Sequence, residues 1–433
     1  MSQRWSTAKQ AIVQRKRPPA SARSRLALDA ANFFLAGLTG IGYPFLSDLL
    51  LDGGWAYGSI GIAASMPGLA VVLLQPIAGF CLDRARNPRV ILAAASVAVG
   101  ACYASLPWLV QGAHGAVYAT LFGSGLAQSF FGPILAGLAL GLVGHEHLDR
   151  TSGSNQAFNS SGNVAAAVIA LLVIGNGIAW IFYLVGVYAM LAAASALLVR
   201  KQELDPDRAA GGTDKGVPFR ALLKDKRVLV FMTSTMLFHT AYASAFTFMT
   251  LRGRQAGGSD TTVAEMVLVT QGFMVPVAAV TGPLLGALGR KPVLGFGFVS
   301  LVVYLLICVF VQSPGAIVAA QAFGSVGPGI LAVALVVVCA DLTRGTGRFH
   351  ALIGATRTAM VAGGVGGTFA TGFLVEHLGY AFAIGALTCI AAAGSLIFLS
   401  EMPETQSVAD AARASLRLAE DGPRRPNSLA GGD

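Results

Sequence analysis

An arginine lies deep inside an apolar stretch of the C-terminal half. Arg357 falls eight residues into a predicted helix over 349–376, about 12 Å along its axis, which is near the middle of a bilayer. Because a membrane arginine costs roughly 2.5 to 3.5 kcal/mol, it is a functional candidate. It either supplies a fixed positive charge for an anionic solute or a proton-exchanging carboxylate, or it is a structural residue that donates to helix carbonyls.

Three asparagines are spaced by four residues in another apolar stretch. Asn155, Asn159 and Asn163 therefore share one helical face. Matching Gly153 to Gly347 gives a repeat offset that places Asn163 at the position of Arg357. This face either binds a solute or makes hydrogen bonds between helices.

Asp29 and Asn32 lie three residues apart in the first apolar stretch. A partly desolvated carboxyl group can load and release protons, so Asp29 is a candidate for proton coupling. Alternatively, Asp29 is shallow and reaches the inner membrane interface.

Single polar residues occur in several other apolar stretches. Each is either a solute ligand or a packing residue. These candidates are His239, Gln75, Gln128, Gln271 and Gln321. The segment His145-Glu146-His147 lacks the HExxH spacing, so no metal site is predicted.

Composition identifies the environment that must position these residues. Of 433 residues, 55% are hydrophobic and only 12% are charged, whereas soluble domains carry roughly 25% charged residues. The five cysteines are scattered without a CxxC pair, so no disulfide framework or bound cofactor is expected. The chain is therefore predicted to be an all-α polytopic membrane protein in a lipid bilayer.

Apolar runs of about 20 residues, enough to cross a bilayer as a helix, recur in two sets of six. We predict helices over 26–50, 59–81, 90–110, 115–143, 154–177, 180–199, 228–251, 263–288, 293–312, 316–341, 349–376 and 380–400. The predicted organisation is a basic N-terminus (1–25), a first half (26–199), a polar linker (200–227), a second half (228–400) and a tail (401–433).

The distribution of basic residues supports this topology. With a cytoplasmic N-terminus, 27 of the 30 Lys and Arg residues fall in cytoplasmic segments, as the positive-inside rule requires. Both termini are then cytoplasmic. The net charge of +9 is accounted for by this asymmetry, so no nucleic-acid partner is expected.

Two predicted cytoplasmic loops resemble each other. One is Gly79-Phe80-Cys81-Leu82-Asp83-Arg84-Ala85-Arg86; the other runs from Gly282 to Gly289-Arg290-Lys291, with Gly286 in place of the acid. A second repeat pairs Phe122-Gly123-Ser124 and Gly132-Pro133 with Phe323-Gly324-Ser325 and Gly327-Pro328.

The loop pair that begins at Gly79 and Gly282 resembles the signature loop of the major facilitator superfamily. The resemblance implies a twelve-helix fold in two pseudo-symmetric halves, with a central cavity lined by the first helix among others. It implies gating roles for Gly79, Asp83, Arg84, Gly282 and Arg290. Asp83 would lie near the inner end of the eleventh helix, where the helix dipole favours an anion.

Transport by a secondary carrier is the predicted function. Walker motifs, nucleophile elbows and metal clusters do not occur in the sequence, so no enzyme activity is expected. We predict alternating access, with proton-coupled export of a small organic compound as the preferred direction. The alternatives are proton-coupled uptake of an organic anion or sugar, suggested by Arg357 and by Pro403-Glu404-Thr405, and a non-transporting receptor or assembly protein. A monomer in the bacterial plasma membrane is expected.

Overall fold

In the computed structural model, the described residues are 20–55, 57–83, 85, 87–211, 218–258 and 260–406, and they form helices without any strand. The helices of the first half are α1 (Ala22–Asp52), α2 (Tyr57–Leu82), α3 (Pro88–Leu109), α4 (His114–Gln128), α5 (Phe131–Val173) and α6 (Ala179–Leu198). The linker carries α7 (Pro206–Ala209) and α8 (Phe219–Leu222). The second half contains α9 (Lys226–Gln255), α10 (Asp260–Leu288), α11 (Arg290–Phe310), α12 (Pro314–Gly324), α13 (Val326–Leu342) and α14 (Phe349–Glu401).

The described helices provide the twelve predicted membrane spans. Eight helical stretches are long and apolar enough to cross a bilayer. Two of these each contain two spans, separated where Gly144 (φ 67°) and Gly379 (φ 81°) adopt the left-handed backbone conformation. Helices α1 and α2 supply the other two spans. The segment 145–153, predicted as a loop, is helical and begins the fifth span.

The fourth and tenth spans are each broken, which the predicted continuous helices did not include. Helix α4 stops at Gln128 and α5 begins at Phe131, while α12 stops at Gly324 and α13 begins at Val326. Proline follows each break, at Pro133 and Pro328. Proline has no N–H for the carbonyl four residues earlier, so helical hydrogen bonding is interrupted at the same place in both halves.

The linker is folded against both halves. Asp205 donates its backbone N–H to the carbonyl of Gly141 in α5 (3.2 Å), and the carbonyls of Ala210 and Gly211 accept from Phe349 N (3.1 Å) and Gly345 N (2.6 Å). The linker therefore joins the first half to the segment before α14. We refer to this end of the bundle as the linker side.

Glycines allow the two halves to pack closely near the linker side. A Cβ added to Gly153 of α5 would lie 3.2 Å from Cα of Gly282 in α10, and one on Gly354 of α14 would lie 3.8 Å from Cα of Gly79 in α2. These small residues let the helix backbones approach each other. The matched contacts α5–α10 and α2–α14 show the pseudo-symmetry of the halves.

Candidate functional site

A cavity of about 410 Å³ lies between the two halves. Its polar lining comes mainly from the first half, and the second half supplies His239 of α9 and Arg357 of α14. The first-half polar residues are Asn32, Thr39, Gln75, Gln128, Ser152, Asn155, Gln156 and Asn159. The remaining lining is largely apolar and includes Leu35, Phe131, Leu135, Val336 and Met360.

Arg357 reaches across the cavity to the first half. A Cβ added to Gly132 of α5 would lie 3.0 Å from Arg357 Nε and 3.1 Å from Cζ, so the guanidinium lies against bare helix backbone. Its Nε is buried and has no hydrogen-bond partner among the described residues. The described lining of the cavity contains no carboxylate. The cavity therefore holds an arginine that no described acid neutralises.

Three further cavity residues have buried polar atoms without partners among the described residues. These atoms are Gln75 Oε1, Ser152 Oγ and Asn155 Oδ1. A buried polar atom without a hydrogen bond costs about 1–3 kcal/mol. Such atoms beside an unpaired arginine give the cavity both charge and hydrogen-bonding capacity for a solute.

The predicted asparagine face is divided by the fold. Asn155 and Asn159 line the cavity, and Asn159 Nδ2 donates to the Asn32 carbonyl of α1 (3.5 Å). Asn32 donates to the Leu28 carbonyl of its own helix (2.9 Å). Asn163 lies off the cavity against α1, where a Cβ on Gly40 would come 2.3 Å from Asn163 Oδ1.

Three other predicted residues also lie off the cavity. Asp29 accepts a hydrogen bond from Ser154 Oγ (3.0 Å) and is not part of the lining. Gln321 is buried and donates to Tyr304 Oη (3.1 Å), which makes it a packing residue. Gln271 of α10 is outside the lining as well.

The helix contacts give a different alignment of the two halves, and so a different first-half residue at the position that corresponds to Arg357. Because Gly153 and Gly354 make the corresponding interhalf contacts, the offset between the fifth and eleventh spans is 201 residues, the difference between 354 and 153. That offset pairs Arg357 with Gln156, whereas matching Gly153 to Gly347 selected Asn163. Gln156 lines the cavity. It lies four residues, or about one helical turn, after Ser152, and this spacing of two polar residues is the sequence pattern that could have predicted its position.

Asp83 and His350 form what we term the first interhalf contact. Asp83 Oδ1 accepts from the backbone N–H of His350 (3.0 Å) and lies 2.9 Å from His350 Nδ1. His350 is in the first turn of α14 and only 2% of its side chain is exposed. A carboxylate at this helix start interacts favourably with the helix dipole. Asp83 thus lies where the sequence predicted, and Gly79 packs beside it against the His350 carbonyl.

Asp149, Arg290 and Asp341 form the second interhalf contact. Arg290 binds both oxygens of Asp149 from α5 (3.0 and 3.1 Å) and donates Nε to Asp341 of α13 (3.1 Å). Only 2% of the Arg290 side chain is exposed. Gly282 packs against the Asp149 carbonyl. Arg84, the remaining predicted gating residue, lies outside the described residues.

The tail segment Pro403-Glu404-Thr405 supports the second interhalf contact. Glu404 accepts the backbone N–H groups of Arg290 and Lys291 (both 2.9 Å), which caps the start of α11. Thr405 Oγ1 donates to Asp341 (3.3 Å). Asp341 is also near Arg344 and Arg348 in the sequence, which would suggest a pair with one of them, but the structure pairs it with Arg290.

Comparison with known proteins agrees with this architecture. The sequence model of a family described as the Major Facilitator Superfamily matches residues 28–286. Two Mycobacterium tuberculosis relatives, each named an uncharacterized MFS-type transporter, are 32% identical over 402 residues, which is 90% of this chain and 94% of theirs.

Solved structures of transporters have the same fold at low sequence identity. The human organic anion transporter MFSD10 (TETRAN) has a TM-score of 0.70 and 14% identity over 88% of this chain and 100% of its own. The proton:xylose symporter XylE has a TM-score of 0.72 and 13% identity over 88% of this chain and 96% of its own. A bacterial homologue of the iron transporter ferroportin has a TM-score of 0.69 and 14% identity, over 87% and 98% respectively.

The paired six-helix halves, the cavity between them, the family match over residues 28–286 and the mycobacterial relatives lead to one conclusion: the chain belongs to the Major Facilitator Superfamily of secondary transporters.

Proposed function

We propose that this protein carries a small organic anion, which binds at Arg357 and crosses the membrane by alternating access. The observation that carries the proposal is a guanidinium whose Nε is buried without a hydrogen-bond partner and that has no carboxylate partner in the described cavity. An uncompensated charge in a membrane interior is costly. A bound anion would compensate it and would gain a charge-assisted hydrogen bond.

The remaining lining supports an anion with an organic body. Amide side chains such as Gln75, Gln128 and Asn159 can bind neutral polar groups, and Leu35, Phe131 and Met360 can contact apolar ones. A cavity of about 410 Å³ falls within the usual range for small-molecule sites, roughly 300–1,000 Å³. The proposed solute is therefore a small carboxylate or sulfonate.

The two interhalf contacts support the proposed movement. Both join the halves on the linker side of the cavity, and His350 precedes Arg357 by seven residues, or about 10 Å of helix. Separation of Asp83 from His350 and of Asp149 from Arg290 would open that side. Rocking of the two halves about a central site is the general scheme for such carriers.

The proposed function also includes the coupling of transport to protons and the orientation of the protein in the membrane. Export in exchange for protons was the preferred interpretation of the sequence, with Asp29 as the coupling acid. Its position off the cavity weakens that role, so the proposal gives more weight to the organic-anion alternative. A plasma-membrane location with both termini in the cytoplasm is supported by the distribution of Lys and Arg residues. The monomeric state stays a prediction.

Binding to purified protein tests the proposed solute class. We expect benzoate, lactate, succinate or benzenesulfonate to bind, and the neutral analogue benzamide to fail. Arg357→Gln should weaken anion binding by about 2–5 kcal/mol, or at least roughly thirtyfold. The same variant should raise the melting temperature of the ligand-free protein, because it removes an uncompensated charge from the membrane interior.

Matched variants make this test specific. Asn163→Ala lies on the same helix as Asn159 but off the cavity, so it should bind anions like the wild type. Arg357→Lys keeps the charge and should retain part of the affinity. Tight binding of neutral compounds, or anion binding that survives Arg357→Gln, would overturn the proposal.

A further inference from the structure

His239 is the second ionisable side chain that lines the cavity beside Arg357. His239 is on α9 and Arg357 is on α14, and the two interact electrostatically. No described residue hydrogen-bonds to the His239 ring. A Cβ added to Gly364 of α14 would lie 3.2 Å from Cδ2 of the imidazole, so the ring packs against bare helix backbone. The mechanism proposed so far gives this ring no role.

Among the described residues, the other groups around His239 and Arg357 are uncharged. Tyr242, on the same helix, has its ring centroid 6.4 Å from that of the imidazole. Cys339 of α13 is a completely buried thiol near Arg357. The opposite wall, formed by α1, α2, α4 and α5, presents the neutral side chains of Asn32, Gln75, Gln128, Asn155, Gln156 and Asn159. A proton on His239 would therefore have only a like charge, Arg357, as its charged neighbour in the described cavity.

We infer that His239 couples transport to protons: an anion held by Arg357 brings one proton onto the imidazole, and anion and proton occupy the cavity together. This inference rests on the proposed function. The proton comes from bulk water, binds a free ring nitrogen and leaves with the anion, so the loaded site gains one negative and one positive charge.

The physical reason is the change in charge when the cavity fills. Two cations in a site of low dielectric repel each other. An anion bound to Arg357 removes this repulsion and offers the imidazolium an opposite charge. Because linkage is reciprocal, a bound proton must then strengthen anion binding to the same degree as the anion strengthens proton binding.

Proton and solute would then move in the same direction. In an exchanger, as expected if Asp29 were the coupling acid, proton and solute bind alternately, so solute binding would release a proton. With His239 as the coupling residue, solute binding takes up a proton. The sign of the proton change on binding therefore separates symport from antiport without knowledge of the physiological direction.

The experiment adds benzoate, lactate, succinate and benzenesulfonate to the purified full-length protein in weak buffer with a pH indicator. We expect the wild type to take up protons on binding. Its affinity should fall by up to about tenfold per pH unit above the range in which the ring is protonated. His239→Gln should still bind the anion at alkaline pH, but with no proton uptake and no pH dependence.

Two control variants should behave like the wild type. His377→Gln changes an exposed histidine of α14 that lies against the Phe373 carbonyl and is not part of the cavity lining. Asp29→Asn removes the acid that the sequence suggests for proton coupling. Anion binding by the wild type without proton uptake, or full proton uptake by His239→Gln, would overturn the inference and leave the anion carrier standing. Failure of every anion to bind would overturn the proposed function itself.

Discussion

The two interhalf contacts occupy matching places in the pseudo-symmetric halves but differ in chemistry. In the first, an acid at the end of α2, Asp83, meets His350 at the start of α14. In the second, Arg290 at the start of α11 meets Asp149 in α5 and Asp341 in α13. With the 201-residue offset, Asp149 and His350 occupy corresponding positions of the two halves. An acid in the second interhalf contact therefore corresponds to a histidine in the first.

This difference assigns unequal strength to the two contacts. Arg290 is permanently charged and makes paired hydrogen bonds to one carboxylate and another bond to a second, whereas Asp83 bonds one backbone N–H and one imidazole. Bidentate arginine–carboxylate pairs are the stronger class. We therefore expect the second interhalf contact to provide most of the closure on the linker side.

Arg290→Met should have the largest effect on the closure of the linker side. Breaking a buried ion pair on one side costs about 3–5 kcal/mol, enough to shift a two-state equilibrium at least roughly a hundredfold. We expect the linker side to open and Cys339, which is fully buried, to react with maleimide in a variant without the other cysteines. Lys226→Met breaks an exposed pair with Glu401 and should leave Cys339 protected. Protection of Cys339 in Arg290→Met would show that the second interhalf contact does not hold the halves together.

Glycine-to-alanine substitutions test the two contacts separately, because each adds a Cβ that would clash with a residue of one contact. A Cβ on Gly282 would lie 2.4 Å from the Asp149 backbone carbonyl, and one on Gly137 would lie 2.0 Å from Nε2 of His350. The histidine ring can move but the backbone cannot, so Gly282→Ala should cost about 1–3 kcal/mol and Gly137→Ala less. Gly366, with nothing within 4 Å, is the control, and Gly366→Ala should be neutral or stabilising. Equal losses of thermal stability for Gly282→Ala and Gly137→Ala would contradict the ranking.

The smallest expected effect concerns Glu203, the linker acid that lies 201 positions before Glu404. It accepts Ser21 N and Ser21 Oγ at the start of α1, both at 2.9 Å. Burial raises the pKa of Glu203, but these hydrogen bonds and Arg200 outweigh it, so the pKa is below its ordinary value of 4.5. Loss of such a helix cap costs about 0.5–2 kcal/mol.

The sign of the pH dependence follows from that lowered pKa. Stabilisation by Glu203 is fully present above the unfolded-state pKa and is lost as the pH falls through the lower folded-state pKa. Glu203→Gln should therefore lower the melting temperature at about pH 7 and match the wild type in strong acid. A difference between the two proteins that persists unchanged in acid would contradict this role.

Much of the fold was accessible from the sequence because the bilayer imposes a simple length rule. The twelve spans and the position of Asp83 agree with the predictions from the sequence. The breaks before Pro133 and Pro328 were missed since the apolar runs continue across them, although each Gly-Pro pair was visible. The helical segment 145–153 was missed because its polar residues, such as His145 and Glu146, are typical of loops.

The candidate site was only partly accessible, for a different reason. The cost of polar groups in a membrane singles out Arg357, Asn155 and Asn159, but it singles out Gln321 and Asn163 equally. Which of these faces the cavity depends on partners distant in sequence, such as Tyr304 for Gln321 and Gly40 for Asn163. The acid partners of Arg290 come from two other helices, and no local pattern marks them.

Counterflow in proteoliposomes tests the central claim most directly. Vesicles that contain the wild type and are preloaded with an unlabelled organic anion from the binding panel should transiently accumulate the labelled anion from outside. Vesicles with Arg357→Gln should not, whereas those with Asn163→Ala should match the wild type. Equal accumulation by the wild type and Arg357→Gln, or no exchange by the wild type with any anion that it binds, would contradict the account of an anion carrier built around Arg357.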